Sequence, residues 1–378
     1  MVRETDVFIV GGGPAGLAAA IAARQKGFKV VVADGAEPPI AKACGEGLLP
    51  DALSALRGLG IAISASDGYG LRGIRFLDGD TSVDADFPAE PGIGVRRMIL
   101  HQRMVEKARE SGVSFLWNTP VTGFNERGVT AGENQVLARW VIGADGTGSR
   151  VRRWSRLESS AQQVWRFACR RHYRVRPWSD WTEIHWGQQD QAYVTPVGDQ
   201  EVCVVLISSK RGLKSIEGLR EFPKLAGRLR YASSFSSERG AVTAMYGLKR
   251  VWRNNVALIG DASGSVDAIT GAGLCLGFRQ ASALAEALEA ADLARYQRAH
   301  RRLCRRPTLV GHLMLRLARS PKLRKRTMRA LETAPDVFRR MLSFHVGAAS
   351  PRHMAVTGAL FGWQFLTAGH CEDADEAV

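Results

Sequence analysis

The chain of 378 residues contains no run of about 18 or more consecutive apolar residues, the length that a membrane-spanning helix needs. Its six cysteines are scattered and form no Cys-x-x-Cys pair, so the sequence indicates neither a zinc site nor a disulfide framework. The charged residues Arg3, Glu4 and Asp6 run directly into a glycine-rich motif, which leaves no room for a signal peptide. We therefore expect a cytoplasmic protein with reduced thiols and no metal site.

Acidic residues are scarce relative to basic ones: 37 Asp and Glu stand against 52 Lys and Arg, which gives a net charge of +15. The basic residues are most concentrated between Arg295 and Arg340 and follow no recognisable nucleic-acid-binding module, so we expect no nucleic-acid partner. Two interpretations of this segment stay open. Either it forms solvated arginine-rich faces, or it contacts an anionic membrane surface that delivers a lipid-like substrate.

A glycine-rich hexapeptide, Gly-Gly-Gly-Pro-Ala-Gly at residues 11–16, lies between an apolar strand and an alanine-rich helix. In this order the first glycine allows a tight turn, Gly13 lets the backbone approach a pyrophosphate, and Gly16 lets helix and strand pack closely. A second apolar strand, residues 30–33, ends in Asp34, where a ribose-binding acid is expected. The motif therefore predicts a dinucleotide site, with NAD and FAD both open at this point.

Two later segments are specific to one cofactor. Residues 138–152 resemble the Asp-Gly segment of flavoprotein aromatic hydroxylases (group A flavoprotein monooxygenases) and of geranylgeranyl-reductase-like enzymes. Residues 255–262 resemble the Gly-Asp segment of the same families, in which the aspartate, here Asp261, accepts a hydrogen bond from the ribityl chain of FAD. The residues that match the first segment are Asp145, Gly146, Ser149 and Arg152.

The resemblance implies an α/β fold of the p-hydroxybenzoate-hydroxylase type. A Rossmann-like FAD-binding domain is then joined to an antiparallel β-sheet substrate domain and a C-terminal helical segment. The expected divisions are residues 1–72, 96–155 and 245–290 for the FAD-binding domain, 73–95 and 156–244 for the substrate sheet, 291–370 for the C-terminal helices, and 371–378 for a disordered acidic tail.

The resemblance also implies which residues contact the flavin. An arginine at the position of Arg97 reaches FAD in the relatives, and the helix that opens near Gly273 would direct its N–H groups to negative charge on the reduced flavin. The expected cofactor-binding residues are Gly11, Gly13, Pro14, Ala15, Gly16, Asp34, Cys44, Gly45, Arg97, Asp145, Gly146, Asp261, Gly271, Ala272, Gly273 and Leu274.

The loop at residues 42–50 is similar to the Cys-Gly-Glu-Gly-Leu stretch of geranylgeranyl-reductase-like proteins. Its glycines allow close approach to a flat ring, and the resemblance implies that the loop lines one face of the flavin. Cys44 is expected in packing or ring contact. Glu46 is a candidate acid or base, with a loop-structuring role as the alternative.

Two positions depart from the family patterns. Asp267 stands where hydroxylases carry proline and the reductase-like relatives carry asparagine, so it is a candidate acid or base, or else a turn-stabilising carboxylate. Tyr193 replaces the tryptophan of the Trp-x-x-Pro motif, and with no lysine signature this argues against halogenation. Tyr193 is therefore the predicted pocket residue that faces the flavin.

The remaining regions are predicted in outline. Residues 73–87 and 163–208 read as strands of one antiparallel sheet over the flavin, and aromatic residues at 165, 178, 181, 186 and 193 suit either an aromatic-lined pocket or core packing. From residue 290 the pattern becomes helical, with one helix ending at Pro307 and another beginning near Leu309.

These features lead us to expect an FAD-dependent monooxygenase that hydroxylates an aromatic substrate through a flavin C4a-hydroperoxide, with NAD(P)H as electron donor. An FAD-dependent reductase acting on an alkene or isoprenoid is the alternative, which the loop at residues 42–50 favours. A third hypothesis is a flavin-binding partner protein without turnover of its own. The oligomeric state and the choice between NADH, NADPH and an external reductase stay open.

Overall fold

The computed structural model describes residues 4–125, 128–158, 164–188, 190–212, 215–350, 357–358, 360–362 and 364–365. The helices of these parts are α1 (Pro14–Gln25), α2 (Pro50–Gly58), α3 (Arg97–Glu110), α4 (Arg150–Trp154), α5 (Ser215–Gly218), α6 (Pro223–Leu229), α7 (Gly273–Glu289), α8 (Leu293–Arg319), α9 (Pro321–Thr333) and α10 (Pro335–His345). The strands are β1 (Glu4–Val10), β2 (Val30–Ala33), β3 (Gly47–Leu48), β4 (Tyr69–Leu71), β5 (Gly73–Asp78), β6 (Thr81–Asp86), β7 (Gly92–Gly94), β8 (Ser114–Leu116), β9 (Val121–Asn125), β10 (Gly128–Ala131), β11 (Asn134–Gly143), β12 (Val164–Arg174), β13 (Trp181–Trp186), β14 (Gln191–Gly198), β15 (Glu201–Ser208), β16 (Ser233–Ser234), β17 (Arg239–Gly247), β18 (Trp252–Arg253), β19 (Val256–Leu258) and β20 (Gly264–Ser265).

The first sheet is a parallel sheet with strands in the order β19, β11, β1, β2, β8, and β18 is added antiparallel at one edge. Its central strands are buried on both sides, as expected for nearly continuous apolar runs in a parallel sheet. One side packs against α1, α2, α3 and α7, while the other side packs against the β9–β10 hairpin and α4. The carboxyl ends of β1, β11 and β19 lie together at one edge, where ligands of such sheets bind.

The second sheet has nine strands, in the order β20, β17, β12, β15, β14, β13, β5, β6, with β16 paired to β12. The prediction of one sheet formed from residues 73–87 and 163–208 is confirmed, but the two regions join through a parallel pair, β5 with β13. A hairpin forces its two strands to be antiparallel. Here the chain passes through the first sheet between β6 and β12, so no hairpin constrains the direction of β13 relative to β5.

The expected break at Pro307 is wrong, because α8 continues through it from Leu293 to Arg319. Proline at this position removes one backbone hydrogen bond and normally interrupts a helix. Beyond the proline, Gly311, Met314 and Leu317 are buried on the inner face of α8, so tertiary packing overrides the local preference.

The expected domain divisions stay a prediction, and strands pair across them. Strand β7 lies within residues 73–95 but pairs with β3 and β4 in a separate small sheet. Strand β20 lies within residues 245–290 but extends the second sheet through its pairing with β17. The predicted tail at residues 371–378 lies outside the described residues. None of the helices in the described part of the chain combines the length and the apolar composition that crossing a bilayer requires.

Candidate active site

The turn after β1 can only be made by glycine at two of its positions. Gly11 has φ of +111°, and a Cβ there would lie 2.5 Å from the carbonyl oxygen of Ala144. A Cβ at Gly16 would lie 1.9 Å from the carbonyl oxygen of Gly11. A Cβ at Gly13, in contrast, would meet no described atom within 4 Å, because this glycine borders open space. The turn therefore leaves a backbone-lined cradle in front of the N-terminus of α1.

Two side chains hold the glycine-rich turn from behind. Asp34 accepts hydrogen bonds from the backbone N–H of Gly12 at 2.7 Å and of Ala36 at 2.9 Å. His101, on α3, donates through Nε2 to the carbonyl of Gly12 at 2.8 Å. Burial lowers the pKa of His101, so the ring is neutral and keeps its proton for this bond.

The Asp-Gly segment is organised by hydrogen bonds within itself. Asp145 accepts from the hydroxyl of Ser149 and from the backbone N–H groups of Arg150 and Val151, so it caps the start of α4. Arg152 then joins this segment to the Gly-Asp segment, because it donates to the carbonyls of Thr147 at 2.7 Å and of Ala262 at 3.1 Å. Two motifs that lie about 110 residues apart are thus tied by one guanidinium group.

The Gly-Asp segment holds Asp261 at the edge of the cavity, with its side chain 41% exposed. Its carboxylate accepts weak hydrogen bonds from Thr147 and Ser265 and lies 3.8 Å from Nζ of Lys42. Tyr246 donates to the backbone carbonyl of Asp261. The carboxylate is therefore positioned by several contacts yet keeps acceptor capacity for a ligand hydroxyl.

Helix α7 begins at the inner edge of this region. Gly271 has φ of +62°, which favours glycine, and Ala272 precedes the helix without a side-chain cap. The first N–H groups of α7 are thus left for a ligand, with the positive end of the helix dipole behind them. Gly273 and Leu274 line the cavity at this point.

The Cys-Gly-Glu-Gly loop is anchored by a buried carboxylate. Glu46 is 3% exposed, has φ of +59°, and accepts through Oε1 from the backbone N–H of Arg97 at 3.1 Å. Its Oε2 lies 2.6 Å from Nε2 of His172 on β12. Arg170 donates to Nδ1 of the same ring at 2.7 Å, so the ring proton is on Nε2 and is donated to Glu46. The loop is thereby fastened to both α3 and the second sheet.

Cys203 adds a thiol to this cluster, and its atoms lie within 4.8 Å of the ligand atoms of Glu46 and His172. Such a group would be considered for a metal ion. However, the short hydrogen bond between Glu46 and His172 already uses two of the three ligand atoms. Burial raises the pKa of the Cys203 thiol well above its usual range, which disfavours the thiolate that a metal needs. We interpret the cluster as a hydrogen-bonded structural element and not as a metal site.

One cavity of about 680 Å³ joins these parts. Most of the predicted cofactor residues line it, but Gly16 and Ala272 do not: Gly16 packs under the turn and Ala272 precedes α7. The lining residues among those predicted are Gly11, Gly13, Pro14, Ala15, Asp34, Cys44, Gly45, Glu46, Arg97, Asp145, Gly146, Tyr193, Asp261, Gly271, Gly273 and Leu274.

The wall that the second sheet contributes is apolar. Its lining residues are aliphatic or carry a hydroxyl group, and none is charged: Ile74, Ala168, Thr182, Ile184, Tyr193, Thr195, Val205, Ile207, Ala241, Val242, Thr243 and Ser265. Two hydroxyl groups on this wall, those of Tyr193 and Thr182, are buried and have no partner among the described residues. Burial, together with the nearby Asp267 carboxylate, raises the pKa of Tyr193 well above its usual range, so the phenol stays protonated.

Of the five aromatic residues expected near the pocket, only Tyr193 lines it. Trp165 is 47% exposed, Trp181 stacks against Arg72 and Arg75, and the indole N–H of Trp178 donates to Glu183. Trp186 packs in the core against Phe76. An aromatic-lined pocket is therefore not formed.

Asp267 is fully buried and does not line the cavity, although its neighbours Val266 and Ala268 do. Its Oδ1 accepts from Arg166 at 3.0 Å and from the backbone N–H of Ile269 at 3.0 Å. Arg166 is also buried and donates its second nitrogen to Gln191 at 2.6 Å. The carboxylate is thus engaged in a buried ion pair and a turn cap.

The residues present fit FAD. Nε of Arg97 is buried, has no partner among the described residues, and belongs to a side chain that lines the cavity. The open cradle at Gly13 suits a pyrophosphate, Asp34 suits a ribose, Asp261 suits the ribityl chain, and the start of α7 suits the flavin's pyrimidine edge.

The family model described as "FAD binding domain" matches residues 4–294, and the chain belongs to this family. The match ends near the start of α8, so the C-terminal helices lie beyond it. Together with the reductase relatives below, this defines an FAD-dependent oxidoreductase.

The chain is 30% identical over 331 residues to the menaquinone reductase of Mycobacterium tuberculosis, which covers 77% of this chain and 78% of the relative. It is 27% identical over 296 residues to digeranylgeranylglycerophospholipid reductase 2 of Methanosphaera stadtmanae, and this alignment covers 72% of this chain and 74% of the relative. A solved flavoprotein/dehydrogenase of Cytophaga hutchinsonii has the same fold, with a TM-score of 0.83 at 18% identity and 98% and 100% of the two chains covered.

Several residues of the site have no signal in the sequence. His172 and Arg170 hold the flavin loop, yet they are 126 and 124 positions from Glu46 on a strand with no motif. Lys42 reaches Asp261 across more than 200 positions. The position of Lys42, a charged residue beside a recognised loop, could have indicated that it belongs to the site. Nothing in the sequence distinguishes His172 from any other histidine in a β-sheet.

Proposed function

We propose that this protein is an FAD-dependent reductase that saturates a carbon–carbon double bond in a long, apolar substrate of the isoprenoid class. The observation that carries the proposal is the uncharged wall of the cavity, which the second sheet contributes. A hydrocarbon chain can pack against the aliphatic side chains of this wall, whereas a carboxylate would meet no cationic side chain there. The names of the two relatives, which denote reductases of polyisoprenoid-bearing molecules, support the same class.

When bound and reduced, FAD supplies two electrons and a proton. Saturating a double bond then takes one further proton, which the protein or water must give to the substrate. Tyr193 suits this role: its hydroxyl is buried on the cavity wall with no partner among the described residues, and burial raises its pKa, so the phenol is protonated and has a proton to give. Tyr193 then regains a proton from solvent, which completes the proton balance of the reaction.

Glu46 has a positioning role in this proposal. Its carboxylate holds the start of α3 and accepts a hydrogen bond from Nε2 of His172, so it keeps the loop with Cys44 and Gly45 against the cavity in a backbone conformation that a glutamate rarely adopts. Cys44 contributes ring contact. Asp267, which is paired with Arg166, stabilises the turn before α7.

NAD(P)H is the proposed electron donor. The sequence carries one recognisable glycine-rich dinucleotide motif, which the FAD cradle uses, so we propose that the nicotinamide binds transiently. An external reductase would deliver the same two electrons.

Mass spectrometry of the product tests the proposal directly. The FAD-loaded protein is reduced under anaerobic conditions with NADPH, or with dithionite, and is given a polyisoprenoid quinone and a geranylgeranyl lipid. Reduction adds two mass units for each double bond saturated and needs no oxygen; because reduction of the quinone ring to the quinol adds the same mass, the product is reoxidised to the quinone in air before its mass is measured. Oxidised protein without reductant is the control.

Aromatic hydroxylation, our first expectation from the sequence, gives the opposite result. It requires O₂ and adds sixteen mass units. A panel of phenols that yields this product in air, with no product from isoprenoids under anaerobic conditions, would overturn the reductase proposal. Tight FAD binding with neither product would favour the partner-protein hypothesis instead.

A further inference from the structure

The segment from residue 293 to residue 331 contains thirteen Lys and Arg residues and no Asp or Glu. It forms α8 and most of α9. On α8 the exposed residues recur at helical spacing and form one face, which we call the α8 outer stripe. The stripe consists of Arg302, Arg305, Leu309, Leu313, Arg316 and Arg319.

The leucines at the centre of the stripe are unusually exposed for their size. Leu309 is 62% exposed and Leu313 is 40% exposed. The four arginines at its ends form no ion pair with any carboxylate in the described part of the chain, whereas Arg298 on the same helix pairs with Asp292 and Arg324 on α9 pairs with Asp78. The stripe thus presents unneutralised positive charge on both sides of an apolar centre.

The opposite face of α8 packs behind the cavity wall, although no residue of α8 itself lines the cavity. A Cβ at Gly311 would lie 3.6 Å from Thr270, which lines the cavity, and 3.3 Å from Met245. Met314 and Leu317 belong to the same apolar cluster as Tyr193 and Ile269, which also line the cavity. Helix α8 and the turn that contains Thr270 therefore lie between the apolar cavity and the solvent that the stripe faces.

We propose that the α8 outer stripe docks the protein on an anionic lipid bilayer. The arginines would bind lipid phosphates, and the two leucines would enter the boundary between headgroups and acyl chains. A nucleic acid is the poorer partner because its phosphate backbone would contact only the arginines and leave the exposed Leu309 and Leu313 at the centre of the stripe in water. Docking would place the cavity beside the membrane that holds an isoprenoid. This link to the substrate rests on the proposed function.

Vesicle flotation of the full FAD-loaded chain tests the docking surface. We expect binding to vesicles that contain phosphatidylglycerol, weak binding to pure phosphatidylcholine vesicles, and release at high salt. The quadruple variant R302Q/R305Q/R316Q/R319Q is expected to bind on the order of 1,000-fold more weakly, at about 1 kcal/mol for each arginine. The variant L309S/L313S is expected to bind about tenfold more weakly at unchanged net charge.

The matched control removes four exposed arginines elsewhere, as R211Q/R220Q/R230Q/R253Q, and is expected to bind like the parent protein. If the control loses as much binding as the stripe variant, net charge alone is responsible and the proposal fails. It fails equally if the stripe variants bind like the parent, or if a DNA duplex competes the protein off vesicles at equal phosphate concentration.

Two assays separate this inference from the proposed function. With an isoprenoid substrate dissolved in detergent, the stripe variants are expected to keep the parent's rate, while with the same substrate in vesicles they lose it. Stripe-dependent vesicle binding with no reduction in either format would support the docking surface and refute the proposed function.

Discussion

The buried ion pair between Arg166 and Asp267 gives the sharpest quantitative prediction. Both side chains are almost fully inaccessible, and the pair is made through one oxygen of Asp267 at 3.0 Å. Replacing Asp267 by alanine leaves a buried guanidinium with Gln191 as its remaining partner. We expect the free energy of unfolding to fall by about 3–5 kcal/mol, since removing one member of a buried pair costs that much.

A double-mutant cycle isolates the pair from its surroundings. Asp267→Asn keeps an oxygen for the backbone N–H of Ile269, and Arg166→Met keeps much of the side-chain volume. Each single variant should lose stability, and the double variant should lose less than the sum by about 2 kcal/mol, within the range for residues in contact. Guanidinium unfolding at a fixed FAD concentration, followed by tryptophan fluorescence, measures all four proteins.

Turnover of the same variants tests the role of Asp267. A carboxylate that acts as general acid or base contributes about 10²–10⁴-fold to the rate. We expect the FAD-loaded double variant to turn over at a rate on the order of the parent's, because the pair stabilises the fold and does not reach the cavity. A stable Asp267→Asn variant with its turnover reduced a hundredfold would refute this reasoning and restore Asp267 as an acid or base.

Three further predictions concern the cofactor turn, a buried histidine and the cavity wall. Gly16→Ala should abolish FAD retention during purification, seen as loss of the flavin absorbance, because the new methyl group would lie 1.9 Å from the carbonyl oxygen of Gly11; retention of FAD would contradict it. Burial lowers the pKa of His300 to about 4, below the unfolded value, so stability present above pH 6.5 should be lost as the pH falls toward 4, by about 3 kcal/mol in total. His300→Gln should remove that part of the pH dependence of unfolding, and an unchanged pH profile would refute the assignment. Tyr193→Phe should leave the unfolding free energy the same or slightly higher, since the hydroxyl has no partner in the described part of the chain, while lowering the rate of double-bond reduction; an unchanged rate would exclude the phenol as proton donor.

Much of the FAD site could be predicted because its parts are local. A glycine turn, an acid at a strand end and a helix start each occupy a few consecutive residues, and their backbone requirements limit which residues are allowed. The values of φ at Gly11 and Gly271 are of this kind. Such motifs can be recognised in a single sequence without any knowledge of the rest of the fold.

The remaining features depend on contacts between distant segments. Arg166 and Asp267 are 101 positions apart, and an isolated aspartate next to the expected flavin edge gives no sign that a buried arginine will pair with it. The parallel pairing of β5 with β13 and the continuation of α8 through Pro307 are also decided by packing. Local sequence patterns predicted the features that depend on backbone geometry. They did not predict the features that depend on burial.

The way in which Arg152 ties two distant motifs has a consequence for biosynthesis. The cavity is closed by residues as late as Gly277, so about three quarters of the chain must leave the ribosome before the cofactor has a place to bind. Strands β1 and β2 can pair early, but the other edge of β1 stays unpaired until β11 has been synthesised. The nascent protein thus passes through a long interval with an apolar strand edge uncovered, and FAD can bind only after this interval, when its supply determines how much of the chain stays folded.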